Sequence, residues 1–182
     1  MIEPNHRKEL ALKVARLTLT SRLQDLLLFA QDGDVQRSAG ILAVLERLDA
    51  APYLVGAGPY TQGVYLLQGD ETVLGRLATP LEQPKGEAID IFVNDAPSFL
   101  PREVSRVHAV ILRMQNGSAP EFSIVDRGST CGTYVNGEKL QPSPATDIND
   151  LGRISRGLKH GDVVSLGASH VNVFLFLDLR SS

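Results

Sequence analysis

Three short stretches of the chain carry hydrogen-bond donors suited to holding an anion. Ser105-Arg106 stands just before the apolar run Val110-Ile111-Leu112. Arg76 closes the run Val73-Leu74-Gly75, and Thr130 lies in the turn Gly128-Ser129-Thr130-Cys131-Gly132. Guanidinium and hydroxyl groups both donate to oxygen, and the guanidinium adds a fixed positive charge in a planar fork. Two of each, converging from loops on a rigid scaffold, suit a phosphate with its charge of about -1.5 to -2 and three strong acceptor oxygens. The stretch Ser105 to Leu112 reads as a buried strand that lifts the first two residues to such a site. His108, inside the apolar part of that run, reads as a structural pin, not as an acid–base group or a metal ligand.

The elements that must position these groups come in two textures, which meet near residue 51. From His6 to Ala50 there is no proline, glycine occurs only at Gly33 and Gly40, and Leu, Ala, Arg and Glu dominate. That is helical composition. Leu10, Val14, Leu17, Leu23 and Leu27 make a rough stripe, broken by Thr18-Leu19-Thr20-Ser21. Gln31 to Asp34 is a turn, and Asp34 is a good N-cap for a second arm on which Ser38, Ile41, Leu45 and Leu48 share a face. Residues 1–52 are thus expected to be an α-helical hairpin, an appendage to the rest. From Tyr53 onward, short apolar runs alternate with turns: GVYLLQG, TVLGR, DIFVND, HAVILRM, FSIVD, TYVNG, DVVSLG and VNVFLFLDL. Such spacing predicts an all-β sandwich or barrel over 53–182. In the last run the odd positions from Val171 to Leu179 are apolar, which predicts one buried face and one partly buried face. Leu77–Ala88 and Gln141–Gly157 read as loops or insertions. Asn136-Gly137 is a hairpin turn by its chemistry.

Four motifs in order carry a family resemblance: Gly75-Arg76; Ser105-Arg106-Val107-His108-Ala109; D-x-G-S-x-x-G-T-x-V-N-G from Asp126 to Gly137; and L-x-x-G-D-x-V-x-L-G from Leu158 to Gly167. Over roughly Tyr60 to Leu179 the series resembles the forkhead-associated (FHA) family of phosphothreonine-binding β-sandwich modules. The resemblance implies a mainly β fold, an FHA-type antiparallel β-sandwich. It implies phosphate contacts from Arg76, Ser105 and Thr130, and phosphate or peptide-backbone contact from Arg106. It also implies a peptide-facing position at Cys131, a bracing role with peptide contact at Asn136, and structural support from Gly75, His108, Gly128 and Gly132. The sequence departs from the family in two places. The position of Cys131 is often Asn in the family, where its side chain anchors the peptide backbone, and a thiol is a poor hydrogen-bonding group. Residues 77–104, between Arg76 and Ser105, form a longer insert than compact members carry.

The rest of the sequence bounds the function. The 182 residues carry a net charge of -3 and a pI of about 5.8, which argues against a dominant nucleic-acid or anionic-membrane role. A single cysteine, Cys131, excludes an internal disulfide and a multi-cysteine zinc site. MIEPNHRKEL lacks the apolar core of a secretory signal, and no apolar run is long enough to span a membrane, so a cytoplasmic location is expected. A thiol nucleophile pairing Cys131 with His6, His108, His160 or His170 has no local signature. The turn GSTCGT is not followed by the Gly-Lys-Ser/Thr of a nucleotide loop. The expectation is therefore a binding module with no enzyme activity, no cofactor and no metal. Its partner would be a threonine-phosphorylated protein downstream of a Ser/Thr kinase, with the chain acting as adaptor or scaffold. The alternative is a phosphate-independent interaction or dimerisation module built on the same sandwich. The helical hairpin either packs on the sandwich or serves as a homodimerisation or partner-docking element.

Overall fold

The computed structural model describes residues 47–58, 61, 63–76, 88–93, 102–116, 119–143, 155–169 and 171–180. The expected helical hairpin lies outside them. The described residues form β1 (Pro52–Gly56), β2 (Val64–Leu66), β3 (Glu71–Arg76), β4 (Ile91–Val93), β5 (Ala109–Asn116), β6 (Ala119–Asp126), β7 (Thr133–Val135), β8 (Glu138–Lys139), β9 (Arg156–Gly157), β10 (Val163–Leu166) and β11 (Val173–Asp178). One sheet has the order β2-β1-β11-β10-β7-β8, and the other has β4-β3-β5-β6-β9.

The two sheets share a core. Leu54, Val164, Leu166, Phe174 and Phe176 of the first meet Leu74, Ile91, Ile111, Phe122 and Ile124 of the second in one buried cluster. The Phe122 and Phe176 rings span the interface with centroids 5.6 Å apart. Each such side chain contributes about 1.5–3 kcal/mol on burial.

β11 is buried on both faces, where its sequence pattern predicted one buried and one partly buried. Its even residues Phe174 and Phe176 fill the inter-sheet core. Its odd residues Leu175 and Leu177 join Tyr53, Val55 and Leu179 in a second apolar cluster on the other side of the sheet. The second sheet likewise has an outward cluster, of Val73, Val110, Leu112 and Val125.

Three details differ from expectation, and two of them bear on the site. The sandwich is not wholly antiparallel, because β4 lies parallel to β3, with Leu74 opposite Ile91 and Arg76 opposite Val93. Parallel neighbours need a crossover of about a dozen residues or more, and residues 77–90 supply it. The long insert after Arg76 is thus partly a topological necessity. The strand predicted from Ser105 begins instead at Ala109. Ser105 to His108 form the loop before it, because the Ser105 carbonyl is taken by the Arg76 amide at 3.1 Å and the His108 amide by the Leu74 carbonyl at 2.9 Å. The third detail lies within Gln141–Gly157, read as a loop throughout: its last two residues form β9, which pairs with Ser123 and Ile124 of β6.

Candidate functional site

Gly75 and Arg76 end β3, and the loop before β5 passes directly over them. A Cβ at Gly75 would lie 1.9 Å from the Arg106 carbonyl oxygen, so only glycine lets the two backbones approach this closely. The approach fixes Arg106 beside Arg76. The Arg76 amide donates to Ser105, as described, and the Ser105 hydroxyl oxygen in turn accepts the Thr130 amide at 3.1 Å. Three residues distant in sequence are therefore linked through adjacent hydrogen bonds. Ser105 and Arg106 are half-buried, and Thr130 is exposed.

His108 holds the two loops together from below. It is fully buried, with 0% exposure. The Ser105 amide donates to its Nδ1 at 3.1 Å, and its Nε2 lies 3.1 Å from the Gly132 carbonyl. An amide can only donate, so Nδ1 must be the acceptor and Nε2 must carry the proton that reaches Gly132. The ring is a neutral brace between the β5 and β6–β7 loops.

The β6–β7 loop is wound around Asp126, the last residue of β6. Its carboxylate accepts the Ser129 amide at 2.8 Å, the Ser129 hydroxyl at 2.6 Å and the Thr133 hydroxyl at 2.6 Å. The Ser129 oxygen accepts the Gly132 amide at 2.9 Å. Burial pushes the Asp126 carboxyl up, but the Ser129 and Thr133 hydrogen bonds outweigh it and hold the group below the ordinary carboxylate range. The winding needs a left-handed backbone at Gly128 (φ 69°) and Gly132 (φ 85°). Asp126 and Ser129 were quoted in the motif without a role. Their spacing of three is the signal that a side chain caps its own turn.

Other predicted residues sit apart. Asn136, at φ 52°, and Gly137, at φ 84°, make the two-residue turn between β7 and β8. β7 separates this turn from the Gly132 loop. The Asn136 amide nitrogen donates to Asp162 at 2.8 Å, and its oxygen accepts the Val163 amide at 3.0 Å. This side chain ties the β7–β8 turn to β10. Cys131 is a half-buried free thiol next to Thr130, and its carbonyl lies 3.4 Å from the Tyr134 hydroxyl. A residue that the sequence did not single out also borders the site. Glu103 accepts the Ser169 hydroxyl and, at 3.4 Å, the Ser169 amide. Gly167, in the same β10–β11 turn, donates to the Gly132 carbonyl at 2.9 Å. Among the described residues, no group of three or more His, Cys, Asp or Glu side chains could hold a metal. Among the described residues no helix is long and apolar enough to cross a membrane.

A family model, the FHA domain, matches residues 72–167. The chain belongs to the FHA family. No curated protein matches the sequence. Among solved structures, full-length yeast Pml1p is similar at a TM-score of 0.52 and 17% identity, covering 81% of this chain and 97% of that one. The yeast Pml1 splicing factor, studied for its integration into the RES complex, gives 0.51 and 18%, covering 74% and 87%. The MEK1 FHA domain in complex with a HOP1 phosphothreonine peptide gives 0.48 and 19%, covering 71% and 98%. The two yeast matches agree with an FHA-type sandwich. FHA domains are interaction modules, known for phosphothreonine-dependent binding to partner proteins.

Proposed function

We propose that this FHA domain binds a threonine-phosphorylated segment of a partner protein, which a Ser/Thr kinase would generate, and that the chain acts as an adaptor or scaffold in the cytoplasm and not as an enzyme. The observation that carries the reading is the bond from the Thr130 amide to the Ser105 hydroxyl oxygen. Because that oxygen accepts from Thr130, its own proton is left to donate outward. In the proposed complex Ser105 donates to one phosphate oxygen and the Thr130 hydroxyl to another. Arg76 supplies a charge-assisted guanidinium contact, and Arg106 contacts phosphate or peptide backbone. Cys131 lies against the peptide with a weak hydrogen-bonding group, so less of the affinity comes from the peptide main chain. Asn136 braces the turn through Asp162 and Val163. Threonine is preferred to serine if its γ-methyl is buried, at about 0.8 kcal/mol, or roughly fourfold.

The test is binding to a degenerate phosphothreonine peptide pool, beside dephosphorylated and phosphoserine pools. The expected result is binding that needs phosphate, favours threonine and is lost in Arg76→Ala. Equal binding to the dephosphorylated pool would move the function to phosphate-independent association.

A further inference from the structure

The β7–β8 hairpin stands beside the turn that carries Thr130, Cys131 and Gly132, and one of its side chains reaches onto that turn. A Cβ at Gly132 would lie 2.4 Å from the Lys139 Cε, 3.4 Å from its Cδ and 3.2 Å from its Nζ. The stem of Lys139 therefore lies against the Gly132 backbone and delivers the ammonium to the flank of the turn. Tyr134 is the register partner of Lys139 across the hairpin. Its ring centroid is 6.0 Å from the ammonium, and its hydroxyl donates to the Cys131 carbonyl at 3.4 Å. Cys131, Tyr134 and Lys139 thus make one flank of the candidate site.

Lys139 is exposed, and its neighbours leave its charge uncompensated. The adjoining Glu138 is committed to Arg156 at 3.1 Å. Asp162 is committed to the Asn136 side chain and the Lys159 amide, at 2.8 Å each. Among the described residues, no carboxylate pairs with the Lys139 ammonium. The Tyr134 ring, at the margin of cation–π range, is a weak substitute. An ammonium has three donors and no acceptor, so an anion is the group that completes it.

The position of this charge decides what it would read. The Ser105 loop meets the turn at Thr130, whereas Lys139 meets it two residues later, at Gly132. The ammonium therefore addresses a neighbour of the phosphothreonine and not its phosphate. We infer that Lys139 selects an anionic side chain, a carboxylate or a second phosphate, at a position flanking the phosphothreonine in the bound segment. This rests on the phosphothreonine reading above. It supplies on the Cys131 flank a charge-based preference where the thiol offers little hydrogen bonding.

The test uses the full chain and phosphothreonine peptides in which each flanking position in turn is Asp, phosphoserine, Ala or Lys. At one flanking position an anionic residue should be favoured over Ala by roughly two- to fivefold. The preference should shrink with added salt, because the lysine is exposed. The Asp and phosphoserine arms separate the two sources of anion. Lys139→Arg should keep the preference, Lys139→Gln should bring the ratio to about one, and Lys139→Glu should turn it toward Lys. Phosphate-dependent binding with no anionic preference, or a preference unchanged in Lys139→Glu, would overturn the inference and leave the phosphothreonine reading standing. Binding to none of the peptides, or binding that ignores the threonine phosphate, would overturn both.

Discussion

The Ser105 hydroxyl oxygen accepts the Thr130 backbone amide at 3.1 Å, a bond between two loops set twenty-five residues apart. It brings Ser105 and Thr130 together, with the Ser105 oxygen as acceptor and its proton not used by this bond. Ser105→Ala removes both the inter-loop bond and that donor. A hydrogen bond to a charged group contributes about 1.5–3 kcal/mol. Phosphothreonine-peptide affinity should therefore fall by roughly 10- to 150-fold in titration calorimetry. The unfolding midpoint should move little, because the lost bond is at the surface.

His108→Ala should do the reverse in emphasis. It leaves the Ser105 amide and the Gly132 carbonyl without the ring that joins them. The Gly132 carbonyl keeps the Gly167 amide, so the group left unsatisfied is the Ser105 amide, at a cost of about 1–3 kcal/mol. Denaturant unfolding should show a loss of at least about 1–3 kcal/mol, with peptide binding weakened as a consequence of loosened loops. A variant that kept full stability would show that the brace is dispensable.

Gly75→Ala tests the close approach of backbones. The added methyl carbon would fall 1.9 Å from the Arg106 carbonyl oxygen, and backbone cannot give way as a side-chain tip can. Overpacking of this kind costs about 1–3 kcal/mol. The loop bearing Ser105 and Arg106 must then lift, so affinity should drop together with stability.

Asn136→Ala separates bracing from ligand contact. Its amide is engaged by Asp162 and Val163, both within the fold. The variant should lose about 1 kcal/mol of stability and change peptide affinity less than about threefold. A larger loss of affinity at intact stability would return Asn136 to the peptide contacts.

Acid should loosen the β6–β7 loop through Asp126. Its carboxyl titrates lower in the folded chain than in the unfolded one, where the ordinary value is about 3.9. The folded state therefore gains from the ionised form at pH values above about 4, and that gain is lost as pH falls through the lower folded value. Unfolding free energy measured from pH 6 down to about 2 should decline below about 4. In Asp126→Asn the decline should be shallower, from a lower starting stability.

Much of the local backbone around the candidate site could be read before the fold was known, because its signals are local. Asn136-Gly137 takes positive φ at both residues, as that dipeptide favours. Arg76 does end a strand, and Thr130 does sit in a turn between two strands. What escaped was whatever depends on partners far away in sequence. Ser105-Arg106 is followed by strand-forming residues, so the pattern extended β5 backward over them. Only the passage of that segment over Gly75 makes it a loop. The parallel pairing of β4 with β3 has no local marker. β9 is two residues long and owes its existence to the β6 edge. β11 is apolar on both faces, and the pattern could not show that its second face belongs to a separate cluster.

The parallel crossover has a kinetic consequence. Arg76, Ser105 and Thr130 are adjacent only when β3, β5 and β7 are all in place, and β3 also pairs across a long connection with β4. Contacts of such wide sequence separation form late and slowly, after loop-closure entropy has been paid. A chain still emerging from the ribosome holds the separate donors before it holds the candidate site. The binding proposed for this domain would therefore begin only with its completion, and an unfinished copy would make no decoy.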